Sequence, residues 1–295
     1  MHVNMRDVYK ADGSVKEDLT PWLSGHRHHT SLLPNLEWLD QSIQCQQSIS
    51  LHETAQAGLY FSLLAQDDIR SVDDIQTIQI THQARTVSGD VTLKPGQHTS
   101  LMQARISPAL LAAVLGETED HILQHFSAMT ASLSNEKGII QLPITPRTTA
   151  LIQPILTHSG HAISLAGHLY TLIFSIIEQL QMLSHLSKCE DCQSKLFQAQ
   201  NLLETPNFTS LNIRRLAQQV GLNAEALAIG FHLITGQTIE HYCLPSRIQS
   251  AAAQIRQNPA SKQEIVSQSG FSDAQFEAAF IEHFGVYSHQ YGPIH

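Results

Sequence analysis

The feature that most limits the folds open to this chain is an internal repeat between Ser210 and Gly285. One copy runs Leu216-Ala-Gln-Gln-Val-Gly221-Leu-Asn223 and continues through Leu227, Phe231 and Gly236. The other runs Ile265-Val-Ser-Gln-Ser-Gly270-Phe-Ser272 and continues through Phe276, Phe280 and Gly285. Leu216 and Ile265, Gly221 and Gly270, and Gly236 and Gly285 are each 49 positions apart. Self-similarity at one offset means that a single supersecondary unit is used twice.

Each copy reads as helix-turn-helix. A short helix stops at a glycine, which takes the left-handed turn conformation without a Cβ clash. Asn223 or Ser272 then offers a side-chain oxygen to cap the next helix. Apolar residues four apart, Leu227/Phe231 and Phe276/Phe280, give that helix one buried stripe. Its other face is left to enter a DNA major groove. The outward positions are Ala224, Glu225, Ala228 and His232 in the first unit, and Asp273, Ala274, Gln275 and Ala278 in the second. Glutamine pairs with adenine and alanine packs on the thymine methyl. Phosphate contacts fall to Arg214, Arg215 and the N–H groups at the helix starts capped by Asn223 and Ser272. A helical bundle with unrelated glycine turns is the plainer alternative, and it leaves the fixed offset as coincidence.

Together with Gly270-Phe-Ser-Asp273, Phe284-Gly285-Val286 and Tyr291, the two units resemble the double helix-turn-helix domain of the AraC/XylS transcription regulators. The resemblance covers residues 195–295. Gly221-Leu-Asn223 with Gly230-Phe231 further resembles the branch that responds to iron-siderophore complexes. The resemblance implies double-stranded DNA, RNA polymerase and a small-molecule effector as partners, a homodimer, and a cupin-like effector barrel in the N-terminal part. Two departures from the family pattern stand out. Residues 223–235 and 272–284 hold no lysine or arginine, whereas the family has basic residues near Ala228, Ile229, His232 and Ile281. Gly292 follows Tyr291 where the family commonly has arginine. An interaction module of the same fold that modulates another regulator without binding DNA therefore stays open beside the DNA reader.

Charge points the same way. Residues 193–295 carry six basic and seven acidic side chains, and the remaining 192 carry 11 and 19. A DNA-binding domain ordinarily shows a basic excess, because lysine and arginine displace phosphate counterions.

The N-terminal part alternates like short strands: Ile43, Cys45, Ile49 and Leu51, then Ile78, Ile80 and His82, Val91 and Leu93, and Leu101, Gln103 and Arg105. Ser88-Gly-Asp and Lys94-Pro-Gly-Gln mark turns between them. From Ser107, a cap followed by Pro108, the pattern becomes helical. Helices are expected over Pro108–Leu115, from Thr118 or Glu119 to Ser132, over Thr148–His158 bent at Pro154, and from Ile163 to about Leu186. The last carries Leu169, Leu172, Ile176 and Leu183 on or near one stripe, read either as packing on the barrel or as a dimer seam. Pro245 inside 240–257 is expected to kink that helix or delay its start.

The expectation is thus an α+β chain of two domains, a cupin-like β-barrel with helices followed by an all-α double helix-turn-helix domain. Its boundaries are a flexible arm at 1–35, an effector and dimerisation domain at 36–187, a linker at 188–194 and the DNA-binding domain at 195–295. The start of the chain lacks a basic-then-apolar leader, and Ala162–Ile177 is short for a membrane span, so a cytoplasmic protein away from membranes is expected.

Four cysteines are too few for a secreted disulfide framework. In a continuing helix His185, Cys189 and Cys192 fall at i, i+4 and i+7 on one face. They read as a candidate metal site for zinc, copper or iron, as a redox pair, or as unliganded thiols. No phosphate loop, dinucleotide fingerprint, His-Glu-x-x-His or Gly-x-Ser-x-Gly occurs, so an enzyme is not expected.

Overall fold

A computed structural model describes residues 1–134, 138–204, 212–257, 261–269 and 271–291. Ser210, the turn glycine Gly270 and Gly292 lie outside the described residues. The chain divides into two compact units, Met1–Ser184 and His185–His295.

Among the described residues the first unit holds nine strands: β1 (His2–Asn4), β2 (Leu23–Leu33), β3 (Leu36–Cys45), β4 (Ile49–Ala55), β5 (Gly58–Ala65), β6 (Ile75–Gln83), β7 (Val87–Leu93), β8 (His98–Ile106) and β9 (Ile139–Leu142). They form a three-stranded sheet of order β1-β4-β7, with β1 parallel to β4, and an antiparallel six-stranded sheet of order β2-β3-β8-β5-β6-β9. The expected cupin-like barrel is not present. Among the described residues β2 pairs only with β3 and β9 only with β6, so the larger sheet ends in two edges. Closure requires those edges to bond to each other.

The segment expected to be an arm carries β1, β2 and two 3-10 turns. Met5, Val8, Val15, Leu19 and Leu23 from it are buried with Ile43, Ile49, Leu51 and Leu93 in one cluster. β2 was hidden because its middle, His26-Arg-His-His29, is polar and only its leucine ends are buried. β5 lies between β6 and β8, and its near-continuous apolar run suits a strand covered on both faces rather than an alternating one.

The helices α1 (Pro108–Leu115), α2 (Glu119–Leu133), α3 (Pro146–Leu156) and α4 (Ala162–Leu186) follow the sequence signals. Ser107 Oγ accepts from Leu110 N–H at the start of α1, and Gly116 closes it at φ 71°. Length and a mean hydropathy of 1.3 would let α4 cross a membrane, but 56% of that window is buried inside the protein, as in a core helix. Leu169, Leu172, Ile176 and Leu183, expected as a dimer seam, are all buried within their own chain, at 0%, 3%, 0% and 4% exposure. The outward side of α4 instead presents Ile163, Gly167, Thr171, Glu178 and Gln181.

Among its described residues the second unit has helices as its only regular elements: α5 (Glu190–Leu203), α6 (Ile213–Val220), α7 (Ala224–Thr235), α8 (Ile239–Gln257), α9 (Lys262–Gln268) and α10 (Asp273–Phe284). It has two cores. Leu196, Ala199, Leu216, Leu227 and Phe231 pack with Ile239 and Cys243 of α8. Ile265, Val266, Phe276 and Phe280 pack with Ile248, Ala251, Ala252 and Ile255 of the same helix. The late start expected for α8 is not observed, since the helix begins six residues before Pro245. His241 and Pro245 are both exposed, so water can satisfy the carbonyl that the proline leaves without its helical donor.

The burial of α4 has a measurable consequence. Ile176→Ala should cost about 2–5 kcal/mol, seen as a lowered urea midpoint, with the sedimenting mass of the folded protein unchanged. A change of mass at unaltered stability would return this stripe to an interface.

Candidate functional site

Local chemistry builds the two helix-turn-helix units in the same way. Asn212 Oδ1 accepts from Arg215 N–H at 3.0 Å to start α6, and Asn223 Oδ1 accepts from Ala226 N–H at 2.7 Å to start α7. Ser272 Oγ accepts from Gln275 N–H at 3.3 Å, while Gln275 Oε1 accepts from Ser272 N–H at 3.2 Å, a reciprocal capping box that starts α10. Gly221, Gly236 and Gly285 sit in the left-handed region at φ 71°, 71° and 72°, where a side chain would be strained.

The two second helices are not equally open. On α10, Asp273, Ala274, Gln275 and Ala278 are all exposed, as are Ile281 and Glu282. On α7, Ala224, Glu225, Ala228 and His232 are only partly exposed. Burial lowers the His232 pKa, against a hydrogen bond with the Gln237 backbone. Gly230 explains part of the difference. A Cβ there would stand 2.7 Å from Leu196 and 3.2 Å from Leu186, so glycine lets α7 press closely on α5 and the end of α4. Packing accounts for this residue without any ligand.

The basic side chains are largely committed elsewhere. Lys195 pairs with Asp191 at 2.5 Å and Lys262 with Glu277 at 2.7 Å. Arg247 stacks 4.1 Å from the Phe271 ring centre and Arg256 4.3 Å from that of Tyr291. Burial raises the Glu277 pKa, but hydrogen bonds from Lys262 and Ser288 outweigh it and hold the carboxyl at about 2. Among the described residues of this unit, Lys188, Arg214 and Arg215 are exposed with neither an ion pair nor a ring contact. Arg214 and Arg215 lie in the first turn of α6.

The sulfur ligands assemble differently from expectation and still converge. α4 ends at Leu186 and α5 starts at Glu190, so no continuous helix carries His185, Cys189 and Cys192. Cys189 is instead the N-cap of α5, its Sγ accepting from Cys192 N–H at 3.3 Å. The one-turn helix spacing then brings Cys192 Sγ to 3.7 Å from His185 Nε2. All three ligand atoms lie within 4.8 Å of one another. Hydrogen bonds from the Cys192 thiol and then its backbone N–H lower the Cys189 pKa, and the same thiol contact raises that of Cys192. Thiolate is the metal-binding form. Two sulfurs and an imidazole make a metal-coordinating group of the soft-to-borderline class, with a fourth tetrahedral position left for water or another donor.

In the first unit a cavity of about 820 Å³ opens among β1, β2, β3, β4, β5, β6 and β8, lined by Arg27, Glu37, Glu53, Gln103, Arg105 and Tyr9, among others. Arg27 pairs with Glu53, and Arg105 with Glu37 at 2.9 Å. Tyr9 Oη is buried without a hydrogen-bond partner among the described residues, and burial raises its pKa. Elsewhere in the first unit, Ser42 Oγ meets Asp68 and lies 3.1 Å from His98 Nε2. This is not a catalytic relay. His98 Nδ1 bonds the Gln66 carbonyl at 3.0 Å, and Asp68 approaches Nε2, whereas a relay needs the carboxylate at the opposite ring nitrogen from the serine.

Co(II) added to the reduced protein should give a thiolate-to-cobalt charge-transfer band that weakens at lower pH, because the ligands must lose protons to bind. The band should vanish in Cys189→Ser/Cys192→Ser. An undiminished band in that variant would place the metal elsewhere.

No family model matches the chain, and no curated protein matches it. Solved structures of ToxT from Vibrio cholerae, an AraC/XylS-family transcriptional regulator, match it consistently at high coverage and low identity. The 1.65 Å structure of ToxT is 11% identical over 92% of this chain and 98% of its own, with a TM-score of 0.23. Unsaturated fatty acid bound wild-type ToxT is 10% identical over 92% of this chain and 93% of its own, again at 0.23. A TM-score at that level does not by itself establish a common fold.

Proposed function

We propose that this protein is a sequence-specific DNA-binding transcription regulator of the AraC/XylS type, controlled by a small molecule. The observation that carries it is the pair of helix-turn-helix units, each with its own core and both anchored on α8. A helix-turn-helix earns stability from its first helix and leaves the second for the groove, and α10 presents such a free face. Gln275 is the outward side chain best suited to read a base edge, and Arg214 and Arg215 hold the backbone. The N-terminal cavity suits a small polar effector, since its lining carries Arg27 and Arg105, each paired with a glutamate, and a Tyr9 hydroxyl without a hydrogen-bond partner among the described residues. The metal-coordinating thiols stand at the start of α5, whose Leu196 and Ala199 belong to the first helix-turn-helix core. Ligation there would stiffen the helix on which α7 rests. A homodimer is part of the same proposal, and on the geometry of α4 it would use the outward face rather than the buried stripe.

One observation favours a second reading, an interaction module that modulates another regulator. The open face of α10 carries Asp273 and Glu282 with Ala274, Ala278 and Ile281, and apolar exposure continues at Val286 and Tyr287. Such a face repels phosphate and suits a protein partner.

DNA binding to the region upstream of the protein's own gene, measured over a salt series, separates the two. The regulator should bind specifically with a shallow salt slope, and Arg214→Ala and Arg215→Ala should each reduce that slope by about 1. Absence of specific binding at every salt concentration, with and without candidate effectors, would favour the interaction module.

A further inference from the structure

The polar face of the three-stranded sheet carries a second cluster of ligand atoms, far in sequence from the thiols. Strand register places it. His52 of β4 stands directly opposite Asp90 of β7, and β1 runs alongside with His2 against Ser50 and Asn4 against His52. Residues two apart on a strand share a face, so His2, His52 and Asp90 project from the same side. His52 Nδ1 is 2.7 Å from Asp90 Oδ1, and His2 Nε2 is 3.9 Å from the same oxygen. The three ligand atoms lie within 4.8 Å of one another.

This is more than a cross-strand His–Asp pair, because His2 arrives on a third strand and turns toward the same carboxylate oxygen. The opposite face of the sheet is packed, with Ile49, Leu51 and Leu93 buried in the core beneath, so the backbone that carries the donors is held in place. His52 also lines the cavity beside Asn4, Glu53 and Thr54. The cluster therefore sits at the cavity edge.

We propose that His2, His52 and Asp90 bind a borderline divalent cation of the Zn(II) or Ni(II) class. Two imidazoles and one carboxylate supply three ligands and leave positions open on the ion. The bound cation fastens the N-terminal strand to β4 and β7 and offers an open position to an oxygen or nitrogen donor of a ligand in the cavity. The second of these roles rests on the effector reading; cation binding itself does not.

The test uses residues 1–295 without an affinity tag and with Cys189→Ser/Cys192→Ser, which removes the thiol site from the measurement. Calorimetric titration with zinc chloride should show one equivalent bound per chain. Asp90→Asn, His52→Gln and His2→Gln should each weaken it on the order of ten-fold or more, as expected when part of a metal's ligand environment is removed. His2 and Asp90 are 59% and 52% exposed at the side chain, so these variants should keep the parent's circular dichroism. At one zinc concentration the melting temperature of the parent should rise by more than that of any of the three variants. No zinc bound by the parent, or an affinity unchanged in all three variants, would overturn the proposal. Neither result bears on DNA binding, so failure here stays distinct from failure of the regulator reading.

Discussion

The second unit depends on how α8 divides its buried surface. Ile239 and Cys243 complete the core under α6 and α7, and Ile248, Ala251, Ala252 and Ile255 complete the core under α9 and α10. Neither short first helix has enough apolar surface to hold its partner alone, since α6 spans eight residues and α9 seven. The long helix supplies the missing wall to both. It thereby fixes the relation between the two helix-turn-helix motifs, and on the proposed reading that relation is what two adjacent grooves of DNA would meet. Pro245 is tolerated in the middle because it falls on the exposed side, between the two sets of buried residues.

The electrostatics run against a strong generic affinity for DNA. Lysine and arginine in this unit are drawn into ion pairs and ring stacking, with Arg247 on Phe271, Arg256 on Tyr291 and Lys262 on Glu277. These contacts hold the second core together and take charge away from the surface that would meet phosphate. A reader built this way must rely on base edges, helix-start N–H groups and Arg214 with Arg215, so its specific complexes should lose little on raising salt. On the proposed reading, the asymmetry between a half-covered α7 and an open α10 assigns most of the direct readout to the second helix-turn-helix.

What could be read from residues alone was mostly local. The caps at Ser107, Asn223 and Ser272 and the turns at Gly116, Gly221 and Gly285 follow from side chains and φ preferences within a few positions, and the structure shows them. What depends on distant pairing was not legible. Alternation marks a strand but cannot say whether β2 and β9 meet, and here they do not. β2 has a polar middle, so it looked like a loose arm. His52 and Asp90 are 38 residues apart and join only through strand register, so no spacing pattern could reveal them. The thiols converge by another route than a continuous helix would give: the helix breaks after Leu186, and the N-cap position of Cys189 restores the convergence.

The central claim is that α8 holds two readers for use on one DNA molecule. Hydroxyl-radical footprinting of the protein on its specific site tests it most directly. Two protected patches on one face of the duplex, about one helical turn or roughly 34 Å apart, are expected. A single protected patch, or protection without that spacing, would contradict it.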